Sequence, residues 1–294
     1  MLCWTPTVFP QSSPSQNGRP TSQARTSTPV KAQPSYLLKG LNVDATNVGP
    51  NFHGHDIVAI YNAINRSPFL KEKGEFETSS EFETRRAKAV IDHPIYANIR
   101  FSGYLGFIVT EDPVYGGLGF EYDADTQTFS ATLGTGGLKS FERLTSGASL
   151  KTVVVRRLKR NHRTYIGSNT FGAKIIVHEI DTDEYGVAFY GADSLFRDYP
   201  SSLPAAVLSV TIPAEQARAL KAYAKLMLVC HLSKPWLQNG TRHYDATLDS
   251  PYEIEFTEKY LQVVPDQLWL FDGRTGAVIS KLPAVIEPQP VDTN

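Results

Sequence analysis

The stretch that most constrains this chain is residues 164–191, TYIGSNTFGAKIIVHEIDTDEYGVAFYG. A Gly/Ser/Asn turn opens it, β-branched and aromatic residues follow, and Asp181-Thr182-Asp183-Glu184 interrupts them. The pattern predicts strands at 173–180 and 185–190 joined by a tight acidic turn. Asn169 and Gly172 tolerate the positive φ that such turns demand. Phe171 is expected to plug the turn into the core, with Ile175, Val177, Val187 and Phe189 lining one sheet face.

The remaining chain extends the same theme. Ile57, Ile60, Tyr61 and Ile64 share one helical face, and Ser67-Pro68 ends that helix. Thr78 followed by Glu81 has capping-box spacing, and Glu81 with Arg85 makes an i,i+4 pair, so a second helix is expected over 79–91. From Tyr96 the apolar period shortens to that of strands. Residues 120–133 read as a hairpin around Asp123-Ala124-Asp125-Thr126, and 150–158 as a β-branched strand. Pro213 suits the first position of a short third helix. Tyr252, Ile254 and Phe256 alternate with Glu253, Glu255 and Thr257, the mark of a half-exposed antiparallel strand. LWLFDGRTGAVISKL closes the chain as a hairpin. The expected fold class is α+β, mainly antiparallel β-sheet, with two N-terminal helices and one short helix in the C-terminal half.

Domain organisation follows from composition. Residues 1–48 are rich in Pro, Ser, Thr, Gln and Asn and read as a disordered polar leader; 284–294 reads as a disordered tail. Between them, 49–195 and 205–283 form two packed β-rich lobes or one continuous domain, with the polar segment 193–203 as the boundary. With 294 residues, 41% hydrophobic content and a net charge of −1, the chain can bury a large core. Its charge makes no overall case for nucleic acid or an acidic membrane surface. No apolar run reaches the roughly 18–20 residues that span a bilayer. The opening MLCWTPTVFPQSSPSQ has no basic n-region, so it is not a signal peptide as it stands. An upstream signal would make the protein periplasmic or exported; otherwise it is expected in the cytoplasm.

Three segments, KGEFETSSEFETRR (73–86), YIGSNTFGAKIIVHEI (165–180) and LWLFDGRTGAVISK (268–281), resemble an uncharacterised bacterial family, often exported or lipoprotein-type. The resemblance spans most of residues 50–282. It implies a bacterial accessory protein and brings no activity, ligand or catalytic residue with it.

Candidate chemistry is sparse. The run RRLKRNHR places Arg156, Arg157, Lys159, Arg160 and Arg163 within eight residues, a patch able to grip phosphates or to form the solvated end of a hairpin. Nucleic acid is the less favoured reading, because acidic residues elsewhere cancel the field. His53, His55 and Asp56 are the only histidine cluster, but a metal needs further ligands from His93, His178, His231 or His243. More simply, they begin the first helix, with Asp56 favourable near its positive end. LGTGGLKS has Leu138 where a phosphate loop requires Gly, and GGLG lacks dinucleotide-binding spacing. Ser168 has no nucleophile elbow around it. Cys230 and His231 are adjacent, so on a strand they point to opposite faces. Asp181, Asp183 and Glu184 could hold calcium but are more simply a turn.

No cofactor is expected. The expected function is non-enzymatic binding of another protein, with Ser168, Asn169, Phe171, Tyr252 and Tyr260 as candidate contacts. The alternative is a hydrolase assembled from distant residues, with His53, His55, Asp56, Ser168 and His178 as first suspects.

Overall fold

Two runs that look like loops in the sequence are the middles of long strands. The computed structural model describes residues 35–68, 70–71, 73–110, 117–134, 139–142, 149–168, 172, 174–190 and 206–284. Helices α1 (Ile57–Arg66) and α2 (Ser79–Asp92) precede strands β1 (Leu105–Ile108), β2 (Leu118–Asp123), β3 (Thr128–Leu133) and β4 (Lys139–Glu142). Strands β5 (Ser149–Ser168), β6 (Lys174–Tyr190) and β7 (Ala206–Thr211) follow, then helix α3 (Ala214–Lys221). Strands β8 (Ala224–Tyr244), β9 (Tyr252–Asp272) and β10 (Val278–Pro283) complete the order. The fold is thus α+β, mostly sheet with few helices.

The basic run and the acidic run face each other on β5 and β6. Arg157 pairs with Glu184, Leu158 with Asp183 and Arg163 with Glu179, so the strands continue where a turn was expected at 181–184. The reason is electrostatic. Asp183 meets Arg160 at 3.0 Å and Lys259 at 2.8 Å, while Glu184 meets Arg157 at 2.8 Å. Ion-paired acids sit in a sheet that unpaired acids would weaken. The connection between β5 and β6 falls within 169–173, of which Gly172 is described, with φ of +81°. Asn169 and Phe171 lie outside the described residues, as do residues 1–34, 193–203 and 285–294.

The larger sheet has the order β1-β8-β9-β6-β5-β4, with β10 also on β9. Strand β9 organises it. It runs antiparallel to β8 along nearly its whole length, parallel to β6 through 252–262, and antiparallel to β10 through 267–271. Sheet β2-β3-β7 is wholly antiparallel. Each sheet draws strands from both sides of the expected lobe boundary, and residues 34–294 form one unit.

One face of the large sheet carries Val187, Phe189, Leu261, Val263, Leu268 and Leu270 into the main core, where α1 contributes Ile57, Ile60, Tyr61 and Ile64. Burying each such side chain stabilises by roughly 1.5–3 kcal/mol. Asp56 caps α1, its Oδ1 accepting from the amides of Val58 (3.0 Å) and Ala59 (3.2 Å). At α2 the amide of Thr78 donates to Glu81 Oε2 and the amide of Glu81 to Thr78 Oγ1, the reciprocal capping box. With Glu81 so engaged, Arg85 closes on Glu77 instead, at 2.8 Å. That contact holds the Glu77 carboxyl down at about 2.

The segment just before α1 corrects the expected leader. Leu37, Leu41, Val43, Ala45, Val48 and Phe52 pack on Met227, Val229, Trp269 and Phe271, so residues 35–52 strap the opposite sheet face. His55 fastens the strap: the Gly106 amide donates to its Nδ1 at 2.9 Å, and its Nε2 donates to the Lys39 carbonyl at 2.8 Å.

Candidate functional site

At mid-length the four strands β5, β6, β9 and β8 lock together through charge. Arg157, Glu184, Glu258 and Gly240 occupy one rung across them, and Arg242, Phe256 and Thr182 lie two residues along, on the next rung of the same face. Glu184 is 0% exposed. Both Nε and Nη2 of Arg157 lie 2.8 Å from its Oε2, and the Tyr260 hydroxyl donates to its Oε1 at 2.6 Å. Arg242 reaches Glu258 at 3.0 Å and Glu184 at 3.5 Å. Both guanidinium groups lie over the Phe256 ring, at 5.5 and 4.8 Å from its centroid. Burial, with the charges of Glu184 and Glu258, pushes the Tyr260 phenol far up. Gly186 allows the Tyr260 ring to lie on β6; a Cβ there would meet the Val153 carbonyl at 2.3 Å and the ring at 3.0 Å.

Two acids matched by two arginines make a scaffold rather than a reactive pair, because breaking a buried pair leaves an uncompensated charge. Tyr260, expected on an exposed face, is a buried member of this network. The basic run is likewise engaged: Arg160 pairs with Asp183 and Glu255, Arg163 with Glu179, and Arg156 with Tyr36 and Asp56, while Lys159 is exposed. A phosphate backbone would have to displace these carboxylates.

Beyond His178 the same strands change character. Ile166 is 73% exposed and its partner Ile176 62%, and Leu248 in the β8–β9 connection is 59% exposed. Tyr252 stacks on His178 at 5.3 Å, and His178 on His162 at 5.8 Å. Tyr165, Gly167, Ser168, Leu248 and Glu253 line a cleft of about 370 Å³. The Tyr165 hydroxyl donates to Glu253 at 2.5 Å, which raises its pKa. Thus Ser168 and Tyr252, far apart in sequence, share one end of the sheet. The cleft sets an acidic rim against apolar walls.

The remaining suspects lie elsewhere. His53, His55 and Asp56 gather with Arg156 and Tyr36 around a second cavity at the start of α1. Desolvation lowers the pKa of His55, whose two nitrogens are both engaged by backbone, so it has no free nitrogen for a metal. Among the described residues no group of three or more His, Cys, Asp or Glu stands close enough to hold a metal. Ser168 pairs with Lys174, four residues from His178, which separates the two by about 13 Å along the strand. Cys230 is fully buried and its thiol pKa pushed well up by burial, whereas His231 turns outward to Asp266 at 2.8 Å. Among the described residues no helix is long and apolar enough to cross a membrane.

Sequence reasoning missed Glu258 and Arg242 and read Glu184 as a turn residue. The signal was present: RRLKRNHR and HEIDTDE are runs of opposite charge placed symmetrically about a Gly/Asn turn, which is the pattern of a charge-zipped hairpin.

Comparison with protein-family models, curated proteins and solved structures returns no match to this chain.

Proposed function

We propose that this is a non-enzymatic binding protein that holds another protein at the exposed end of β5, β6 and β9. The observation that carries this reading is the gathering of Ile166, Ile176 and Tyr252, all exposed, on one face of the strand ends, with exposed Tyr165 and Leu248 lining the cleft on the other. Other exposed large apolar residues, such as Phe76 and Tyr223, stand singly in distant segments. A contiguous apolar patch with a polar rim marks an interaction surface, whereas isolated ones are ordinary. Ile166 and Ile176 face one another across a two-strand tip, and the ion-paired rungs behind them hold that tip rigid. Such preorganisation lowers the entropy lost on association. An extended or helical apolar segment of a partner fits this surface.

The accessory role in a bacterial envelope or exported fraction belongs to the same proposal and rests on the family resemblance alone. Affinity purification of tagged wild-type protein and of an Ile166→Asp/Ile176→Asp variant from native cells tests the binding reading. A partner held at stoichiometric levels by the wild type and lost by the variant is expected. A partner retained equally by both would overturn this choice of surface.

A further inference from the structure

The cavity at the start of α1 differs in kind from the exposed tip. It is a half-open pocket of about 400 Å³, within the range of small-molecule sites. Ile57, Ile108, Val109 and Val155 give it apolar walls. Its polar groups converge from three separate parts of the chain: Tyr36 and His53 from the segment before α1, Arg156 from β5, and Lys225 from β8. Two cationic side chains, Arg156 and Lys225, therefore line the cavity together with one carboxylate, that of Asp56.

That carboxylate is already committed. It accepts two amides of α1 and lies 3.9 Å from Arg156 Nη1. The helix terminus is capped by its own side chain and is not what would hold a ligand. The described contacts of Arg156 with Tyr36 and Asp56 both fall on Nη1, which leaves the Nε–Nη2 edge of the guanidinium for a second partner. That edge is a planar fork matched to a carboxylate.

We infer that this cavity binds a small monocarboxylate with an apolar body, its carboxylate on Arg156 and Lys225 and its body against Ile57, Val109 and Val155. A dianion such as phosphate is disfavoured, because Asp56 repels the second charge and the apolar walls offer it nothing. The inference is independent of the protein-binding tip, which lies at the far end of β5.

Titration of the full chain with octanoate, phenylacetate, phenylacetamide and inorganic phosphate, followed by isothermal calorimetry and methyl NMR, tests it. The two acids are expected to bind saturably and to shift the methyl resonances of Ile57, Val109 and Val155. The neutral amide and phosphate are expected to bind at least about tenfold more weakly, the worth of one charge-assisted contact. Arg156→Met and Lys225→Met, each checked by thermal unfolding, are expected to weaken acid binding by about tenfold or more. Failure of either acid to saturate, or equal binding of acid and amide by the wild-type protein, would overturn the assignment. Acid binding unchanged in both variants would overturn it too.

Discussion

The middle and the end of the same four strands make opposite use of one alternating pattern. Between Arg157 and Tyr260 the polar face is buried, every acid answered by a cation and the Phe256 ring lying beneath two guanidinium groups. Eight to ten residues further along β5, that face presents Ile166 to solvent, beside Ile176 and close to the Tyr252–His178–His162 stack. Where charge lies buried and matched, substitution should cost stability. Where apolar side chains lie exposed, substitution should cost only recognition. The contrast teaches that the chemically louder region of this chain is its scaffold.

The largest effect is expected in the scaffold. Glu184→Leu leaves Arg157 without its carboxylate and Arg242 with only Glu258, and should destabilise the fold by about 3–5 kcal/mol in urea titration. A loss under about 1 kcal/mol would mean that the arginines relax into solvent and the rung is not a lock.

The strap gives a pH-dependent effect. His55 is buried, and desolvation holds its pKa below the ordinary histidine value of about 6.5. The unfolded chain therefore takes up a proton that the folded chain resists, so stability is full above about 6.5 and falls as pH drops below it. Urea midpoints measured from pH 8 to pH 5 should fall more steeply for the wild type than for His55→Gln. Parallel slopes would remove His55 from the account of acid sensitivity.

Asp56→Ala removes the cap of α1 and should cost about 1 kcal/mol in the same titration. The smallest effect belongs to the tip. Ile166→Asp/Ile176→Asp should change stability by no more than about 0.5 kcal/mol, since both side chains are mostly in water. A larger loss would make the tip a structural element and weaken the contrast with the middle.

Much of the local fold was legible because its signals are short-range. The Thr78/Glu81 box, the four apolar positions of α1 and the hairpin of β9 with β10 around residues 273–277 all depend on neighbours within one turn. The 181–184 segment was not legible in the same way. Four polar residues between apolar runs look like a turn until their partners are known, and those partners, Arg157, Arg160, Arg242 and Lys259, come from three other strands. The parallel pairing of β6 with β9 has the same origin, since its 74-residue offset leaves no local mark. Residues 35–52 misled through composition, because six scattered apolar side chains among polar ones suffice to cover Trp269 and Phe271. At the candidate site, Ser168 and Tyr252 were visible individually; that they share one end of the sheet needed the strand pairing.

Photo-crosslinking in native cells tests the central claim most directly, by comparing a photoreactive residue at position 176 in the tip with one at 76. Phe76 is 93% exposed and apolar but lies in the α1–α2 connection, so it controls for mere stickiness. The expected result is one discrete adduct from position 176, abolished by Ile166→Asp, and none from position 76. Equal adducts from both positions, or none from position 176 in a folded protein, would contradict it.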